Sequence, residues 1–314
     1  MDYAGMNTMQ KTIIHKLSEK TNRNYFYIKR DDLIDFSFGG NKARKAEKFK
    51  EDIVAKKADA IVTYGSSESN HCRVIANMAR SLGLKCYIIS PEEKYEETYN
   101  SKMIRMFGAR IIKVPIDEVS TTIDNLLERF KKECKPYFIP GGGHGNFGTD
   151  AYVDAYNEIK EYEVEHDFTF DYIFLASGTG TTQAGLICGQ ILNKDFDRKI
   201  IGISIARNKE KGEGVIIESI RDYLGKDIND YLHCVNFNDE YTLSGYNKHN
   251  DKILNVIKKV LLKDGIALNT TYTGKAYYGM LEYIKKNNIM DKNILFLNTG
   301  GLPLFFDDMK GLIK

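Results

Sequence analysis

Along the chain, short apolar runs alternate with longer amphipathic stretches. Residues 24–29 (NYFYIK) have the aromatic and β-branched density of a strand. In residues 42–55, Ala43, Ala46, Phe49, Ile53 and Val54 recur at the spacing of one helical face, which predicts a basic amphipathic helix. A regular alternation follows: strand 60–64, helix 70–82, strand 85–89, helix 95–107, strand 110–114 and helix 116–132. A second series runs through strand 137–139, helix 151–162, strand 172–176, helix 182–190 and strand 199–205. Helices near 213–224, 250–263 and 275–287 then precede a last strand, 293–297, which stops at Thr299-Gly300-Gly301. Parallel strands need crossover helices, so this order predicts an α/β protein with parallel sheets covered on both faces, in two lobes. Ligands of such sheets sit beyond the carboxyl ends of the strands, which directs attention to the loops there.

Composition narrows the class of ligand. Forty-five Lys and Arg face forty-three Asp and Glu, a formal net charge of +2, which argues against nucleic acid or an acidic membrane and for a small molecule. No apolar run approaches the ~18 residues that span a bilayer, and the opening MDYAGMNTMQ lacks the basic-then-apolar order of a secretion signal, so a cytoplasmic protein is expected. The five cysteines are scattered and never spaced CxxC; they read as reduced packing residues, with neither a disulfide framework nor a metal site.

Four features carry candidate chemistry. Ser177-Gly178-Thr179-Gly180-Thr181-Thr182 follows an apolar strand and opens a helix, a setting in which free backbone N–H groups and hydroxyls hold a phosphate. It fits neither GxxxxGK[ST] nor GxGxxG, which demotes ATP hydrolysis and a nicotinamide cofactor. Lys42 follows paired glycines at the start of a helix, where the positive end of the dipole lowers an amine's pKa; taken alone it reads more readily as part of a solvated basic helix. The loop GSSESNH (65–71) offers Ser69, Asn70 and His71 at another helix start, to a carboxylate or phenolate oxygen or simply as an N-cap. Tyr246 and Tyr272, two of twenty tyrosines, are of interest for their company: SGYN and TTYTGK.

Taken together, IKRDD, FGGNKARK, GSSESNH, ASGTGTTQAGL, GYNKHND, TTYTGKA and NTGGLP stand in the order found in the pyridoxal-phosphate-dependent 1-aminocyclopropane-1-carboxylate deaminase and D-cysteine desulfhydrase family, which this sequence resembles from about residue 25 to residue 305. The resemblance implies the tryptophan synthase β-subunit-like fold (fold type II), with a larger cofactor-binding domain of residues 1–50 and 138–314 and a smaller α/β domain, 51–137, inserted in it. It implies pyridoxal 5'-phosphate as cofactor, a small amino-acid substrate and a homodimer. By resemblance Lys42 is the cofactor-linked lysine and proton shuttle, residues 177–182 (Ser177, Gly178, Thr179, Gly180, Thr181, Thr182) hold the phosphate, and Asn70 bonds the ring hydroxyl oxygen. Ser69 and His71 then meet the substrate carboxylate, and Tyr246 and Tyr272 line the reacting face.

Thr273 bears on the reaction. It stands where the deaminases resemble one another in having Glu and the desulfhydrases in having Thr, against the pyridine nitrogen. A carboxylate keeps that nitrogen protonated and prolongs a carbanion, whereas a hydroxyl suits prompt loss of a β-substituent. β-Elimination to pyruvate and ammonia, with a leaving group such as sulfide, is therefore expected ahead of ring opening or β-replacement. A non-catalytic phosphate-binding protein is the alternative from another class. Glu68, where the family usually has Gln, and His144, in the atypical loop GGGHGNFG, are departures expected to touch substrate and to alter its choice.

Overall fold

The computed structural model describes residues 11–66, 68–92, 97–243 and 245–312. Its strands are β1 (Ile14–Lys16), β2 (Tyr25–Lys29), β3 (Ala60–Tyr64), β4 (Lys85–Pro91), β5 (Arg110–Val114), β6 (Pro136–Ile139), β7 (Tyr172–Ser177), β8 (Lys199–Ser204), β9 (Asn236–Asn238) and β10 (Asn293–Leu297). They form a six-stranded sheet, β1-β2-β10-β7-β8-β9, and a four-stranded sheet, β5-β4-β3-β6. Every pairing is parallel except β1 with β2. In sequence the whole four-stranded sheet lies between β2 and β7.

The helices are α1 (Asn41–Ala55), α2 (Asn70–Ser81), α3 (Tyr99–Met106), α4 (Val119–Lys131), α5 (Asn146–His166), α6 (Thr181–Leu192), α7 (Lys209–Leu224), α8 (Asp251–Asp264), α9 (Thr273–Lys286) and α10 (Leu302–Leu312). Central strands β7 and β10 are nearly continuous apolar runs because helices cover both faces of their sheet. One face packs on α5, α6 and α7, the other on α8 and α9. The smaller sheet is covered by α1, α2 and α3 on one side and α4 on the other.

Several boundaries differ from the sequence expectation for local reasons. Strands β1 and β9 have three residues each, too few for a pattern to show. Helix α5 starts at Asn146, five residues early, because its first turn, NFGT, carries no helical apolar stripe. Helix α3 starts at Tyr99, where Thr98 and Ser101 form a reciprocal capping box; residues 95 and 96 of the expected helix lie outside the described residues, as does the opening 1–10. Helix α10, after the Gly300-Gly301 turn, was not anticipated. Val54 is 40% exposed, not part of the buried stripe, because α1 instead buries Arg44 and Lys45.

That burial anchors the front of the chain. Arg44 donates from Nε and NH2 to Asp31 at 3.0 and 2.9 Å, and from NH1 to Glu158 at 2.7 Å. Lys29 also pairs with Glu158, and the Tyr152 hydroxyl donates to Asp31 at 2.7 Å. The cluster ties α1 to β2 and α5, each buried charge having an opposite partner.

Candidate active site

A cavity of about 260 Å³ opens beyond the carboxyl ends of strands from both sheets, as parallel topology requires, and is sized for a small molecule. The path into α1 sets its floor. Ser37, Phe38, Gly39 and Gly40 all have positive φ (46°, 58°, 64° and 94°), which turns the chain sharply before the helix. A Cβ on Gly40 would lie 2.6 Å from the Thr299 carbonyl oxygen, so only glycine lets α1 approach the end of β10 this closely. The approach is fixed by Gly40 N–H to Asp31 O (2.7 Å) and Asn41 N–H to Thr299 O (3.0 Å).

Lys42 is thereby carried into the cavity, where its Nζ donates to the Gly142 carbonyl at 2.9 Å. Burial lowers its pKa to about 8, so a usable fraction is free amine near neutral pH. One turn on, Lys45 is fully buried and its Nζ has no hydrogen-bond partner among the described residues. Burial, then the nearby Lys42, holds its pKa well below the usual lysine value.

Loop 177–182 turns tightly between β7 and α6. Strand β7 ends at Ser177, Gly180 takes φ 87°, and the first backbone bond of α6 runs from Ala184 N–H to Gly180 O at 2.9 Å. The amides of the preceding turn are left for a ligand. The buried Ser177 Oγ likewise has no hydrogen-bond partner among the described residues. Thr182 Oγ1 accepts from Asn41 Nδ2 at 3.2 Å, joining this loop to the lysine's helix. Thr181, fully buried, does not line the cavity; its Oγ1 lies 2.8 Å from His144 Nδ1. His144 thus backs the loop rather than facing the cavity, and burial, followed by the charge of Lys45, lowers its pKa.

At the start of α2, Ser69 accepts from His71 N–H at 3.1 Å as the N-cap and also lines the cavity. Asn100 Nδ2 donates to Asn70 Oδ1 at 3.0 Å, which leaves the Asn70 amide NH₂ to meet a ligand oxygen. The His71 ring turns inward, its Nε2 2.8 Å from Thr63 Oγ1, and burial keeps it neutral. The Glu68 carbonyl accepts from Asn100 at 2.8 Å; neither Glu68 nor His71 is a lining residue.

Across the cavity the hydroxyls of Tyr246 and Tyr272 are 2.5 Å apart, with rings edge to face. Burial, then Tyr246, raises the Tyr272 pKa well above the tyrosine norm. Thr273 lies beneath the wall: its Oγ1 accepts from Asn269 N and Nδ2 at 3.0 and 3.1 Å, and Asn269 Nδ2 also donates to the lining Gly300 carbonyl at 3.0 Å. Thus Lys42, Ser69, Asn70, the two tyrosines and most of loop 177–182 converge on one space. Asn41, Gly142, Thr299 and Gly300, which also line it, fall in stretches named above (FGGNK, GGGHGNFG and TGG) without roles of their own, and Arg207 was not named. The strand-end rule could have found Thr299 and Gly300; Arg207 has no sequence signal.

Residues 10–300 match the family described as pyridoxal-phosphate dependent enzyme. The chain belongs to that family, within the branch of 1-aminocyclopropane-1-carboxylate deaminases and D-cysteine desulfhydrases. It is 35% identical over 284 residues to a Pyrococcus horikoshii protein provisionally named 1-aminocyclopropane-1-carboxylate deaminase (88% of this chain, 84% of that one). It is 30% identical over 305 residues to the D-cysteine desulfhydrase of Serratia proteamaculans (93% and 91%). The crystal structure of a 1-aminocyclopropane-1-carboxylate deaminase homologue superposes with a TM-score of 0.84 at 31% identity, covering 97% of this chain and 93% of that one.

The family's cofactor is pyridoxal phosphate, and the residues present fit it. A buried hydroxyl without a partner and a turn of unpaired amides suit a phosphate, and an amine of lowered pKa suits an aldehyde carbon.

Proposed function

We propose that this enzyme is a lyase that eliminates the β-substituent of a small amino acid, D-cysteine being the first substrate to try, with release of pyruvate, ammonia and sulfide. One observation carries the reading: none of the residues lining the cavity is Asp or Glu, and the position beside Tyr272 is Thr273, a hydroxyl already bonded to Asn269. No carboxylate therefore holds a pyridine nitrogen protonated, which favours prompt loss of a leaving group over a long-lived carbanion.

Bound pyridoxal phosphate supplies an electron sink for the substrate's α-carbon. The protein does the rest. The 177–182 loop and Lys42 would hold the cofactor, with Asn70 Nδ2 the donor for its ring oxygen. Ser69 and the first amides of α2 receive the substrate carboxylate. Lys42 Nζ, free amine in part at neutral pH, takes the α-proton. The Tyr246–Tyr272 pair stands ready to protonate the departing sulfur, since a phenol of high pKa keeps its proton until a base forms beside it. Residues 51–137 act as the smaller inserted domain, and the five free cysteines suit a reducing cytoplasm, where we place the enzyme as a homodimer.

The test is a screen of D- and L-amino acids with β leaving groups. Keto acid and sulfide from D-cysteine, lost in Lys42→Ala, support the proposal. Turnover of 1-aminocyclopropane-1-carboxylate but of no β-substituted amino acid would refute it.

A further inference from the structure

Lys275, in the first turn of α9, is fully buried and makes no ion pair among the described residues. Its Nζ donates instead to three backbone carbonyls: Gly245 at 2.9 Å, and Ile205 and Thr242 at 3.1 Å. Burial lowers its pKa to about 8, so the ammonium is the major form at neutral pH. The acceptors come from two walls of the cavity. Ile205 directly follows β8 and lines the cavity; Thr242 and Gly245 belong to the turn that presents Tyr246.

Besides Lys275, the Thr271 hydroxyl reaches that turn, donating to Asn247 Oδ1 at 2.6 Å. Leu243, Gly245 and Asn247 all have positive φ (52°, 139° and 58°), and its backbone bonds, Gly245 N–H to Thr242 O and Lys248 N–H to Gly245 O, measure 3.2 and 3.4 Å. An ammonium has three donors in tetrahedral array, and here all three meet carbonyls. A neutral apolar side chain at this position would take the ammonium from all three carbonyls, leaving Thr242 and Gly245 only the long backbone bonds of the turn and cutting its tie to Ile205.

We propose that Lys275 is a positioning residue for the elimination: its ammonium fastens the Tyr246 turn to the end of β8 and to α9, keeping the Tyr246 hydroxyl against that of Tyr272. The inference rests on the reading of the tyrosine pair as the proton donor to the leaving group. Lys275 is not among the residues lining the cavity.

A double-mutant cycle on the cofactor-loaded enzyme tests it, with kcat and KM for D-cysteine and hydrogen exchange of the 240–250 segment as readouts. Tyr246→Phe is expected to lower kcat by roughly a hundredfold. Lys275→Met should lower kcat by a similar factor with KM little changed and speed exchange at Gly245 and Lys248. The double variant should be no slower than the slower single one, because both remove the same hydroxyl from its place. Multiplying effects, or unchanged exchange in 240–250, overturn the role given to Lys275. A Tyr246→Phe enzyme with full kcat instead overturns the reading of the tyrosine, and the inference with it. Should Lys275→Met fail to fold, Lys275→Gln, which keeps two donors without the charge, takes its place under the same criteria.

Discussion

Helix α1 buries cations in two opposite ways within four residues. Arg44 turns toward β2 and α5, where Asp31 and Glu158 surround it, and these carboxylates keep its pKa high despite the burial. Lys42 reaches into the cavity and Lys45 is enclosed beside Gly143; neither pairs with a carboxylate among the described residues, and burial drives both pKa values down. Burial is thus common to the two faces, and the partner decides the outcome. A compensated cation anchors the helix, whereas uncompensated amines become reactive and expectant of an anion.

The largest effect that would sharpen this contrast is on chemistry. Lys42→Ala should cut keto-acid production at least about a thousandfold while leaving thermal stability unchanged or higher, because no charge is left stranded. On the other face, Arg44→Met should leave Asp31 and Glu158 without their guanidinium and cost about 3–5 kcal/mol, read as a lowered denaturation midpoint. Near-wild-type stability there would break the comparison.

The next effect is in the pH dependence of the cofactor-free protein. In the unfolded chain both lysines keep their protons to about pH 10. In the folded protein Lys42 gives up its proton near pH 8, and burial, then the charge of Lys42, holds the Lys45 pKa well below the usual lysine value. Between about pH 8 and 10 the unfolded chain therefore binds more protons, and stability should rise with pH. Lys45→Met should flatten that rise and add about 1–2 kcal/mol at pH 8, measured by urea unfolding. The smallest effect is a rate: acetylation of Lys42 by limiting acetic anhydride, followed by mass spectrometry, should increase with a midpoint near pH 8 rather than near the ordinary lysine value.

The site was legible in part because its geometry is local. A glycine pair before a helix, a Gly/Thr loop after an apolar strand and a Ser cap each make their shape within a few residues, and those shapes are present at Gly39-Gly40, 177–182 and Ser69. The directions of side chains were less legible. His71 and His144 sit in the right loops, yet one ring bonds Thr63 and the other Thr181, and neither faces the cavity. Lys45 looked like part of a solvated basic helix, and Lys275 carried no signal beyond following TG. Their surroundings are set by tertiary packing: Thr181 lies 37 residues from His144, and Ile205 70 from Lys275.

From periodicity, glycine handedness and the order of its loops, the sequence by itself determined an α/β protein, the strand ends on which the cavity opens, the Gly/Thr turn before α6 and the glycine pair before the helix that bears Lys42. Tertiary structure alone decided which buried cations are paired, which face of α1 meets the cavity, and what holds Tyr246 beside Tyr272. The reason is one of range. Backbone conformation follows from adjacent residues, whereas the charge state of a buried group depends on dielectric and partners such as Glu158 for Arg44, 114 residues apart.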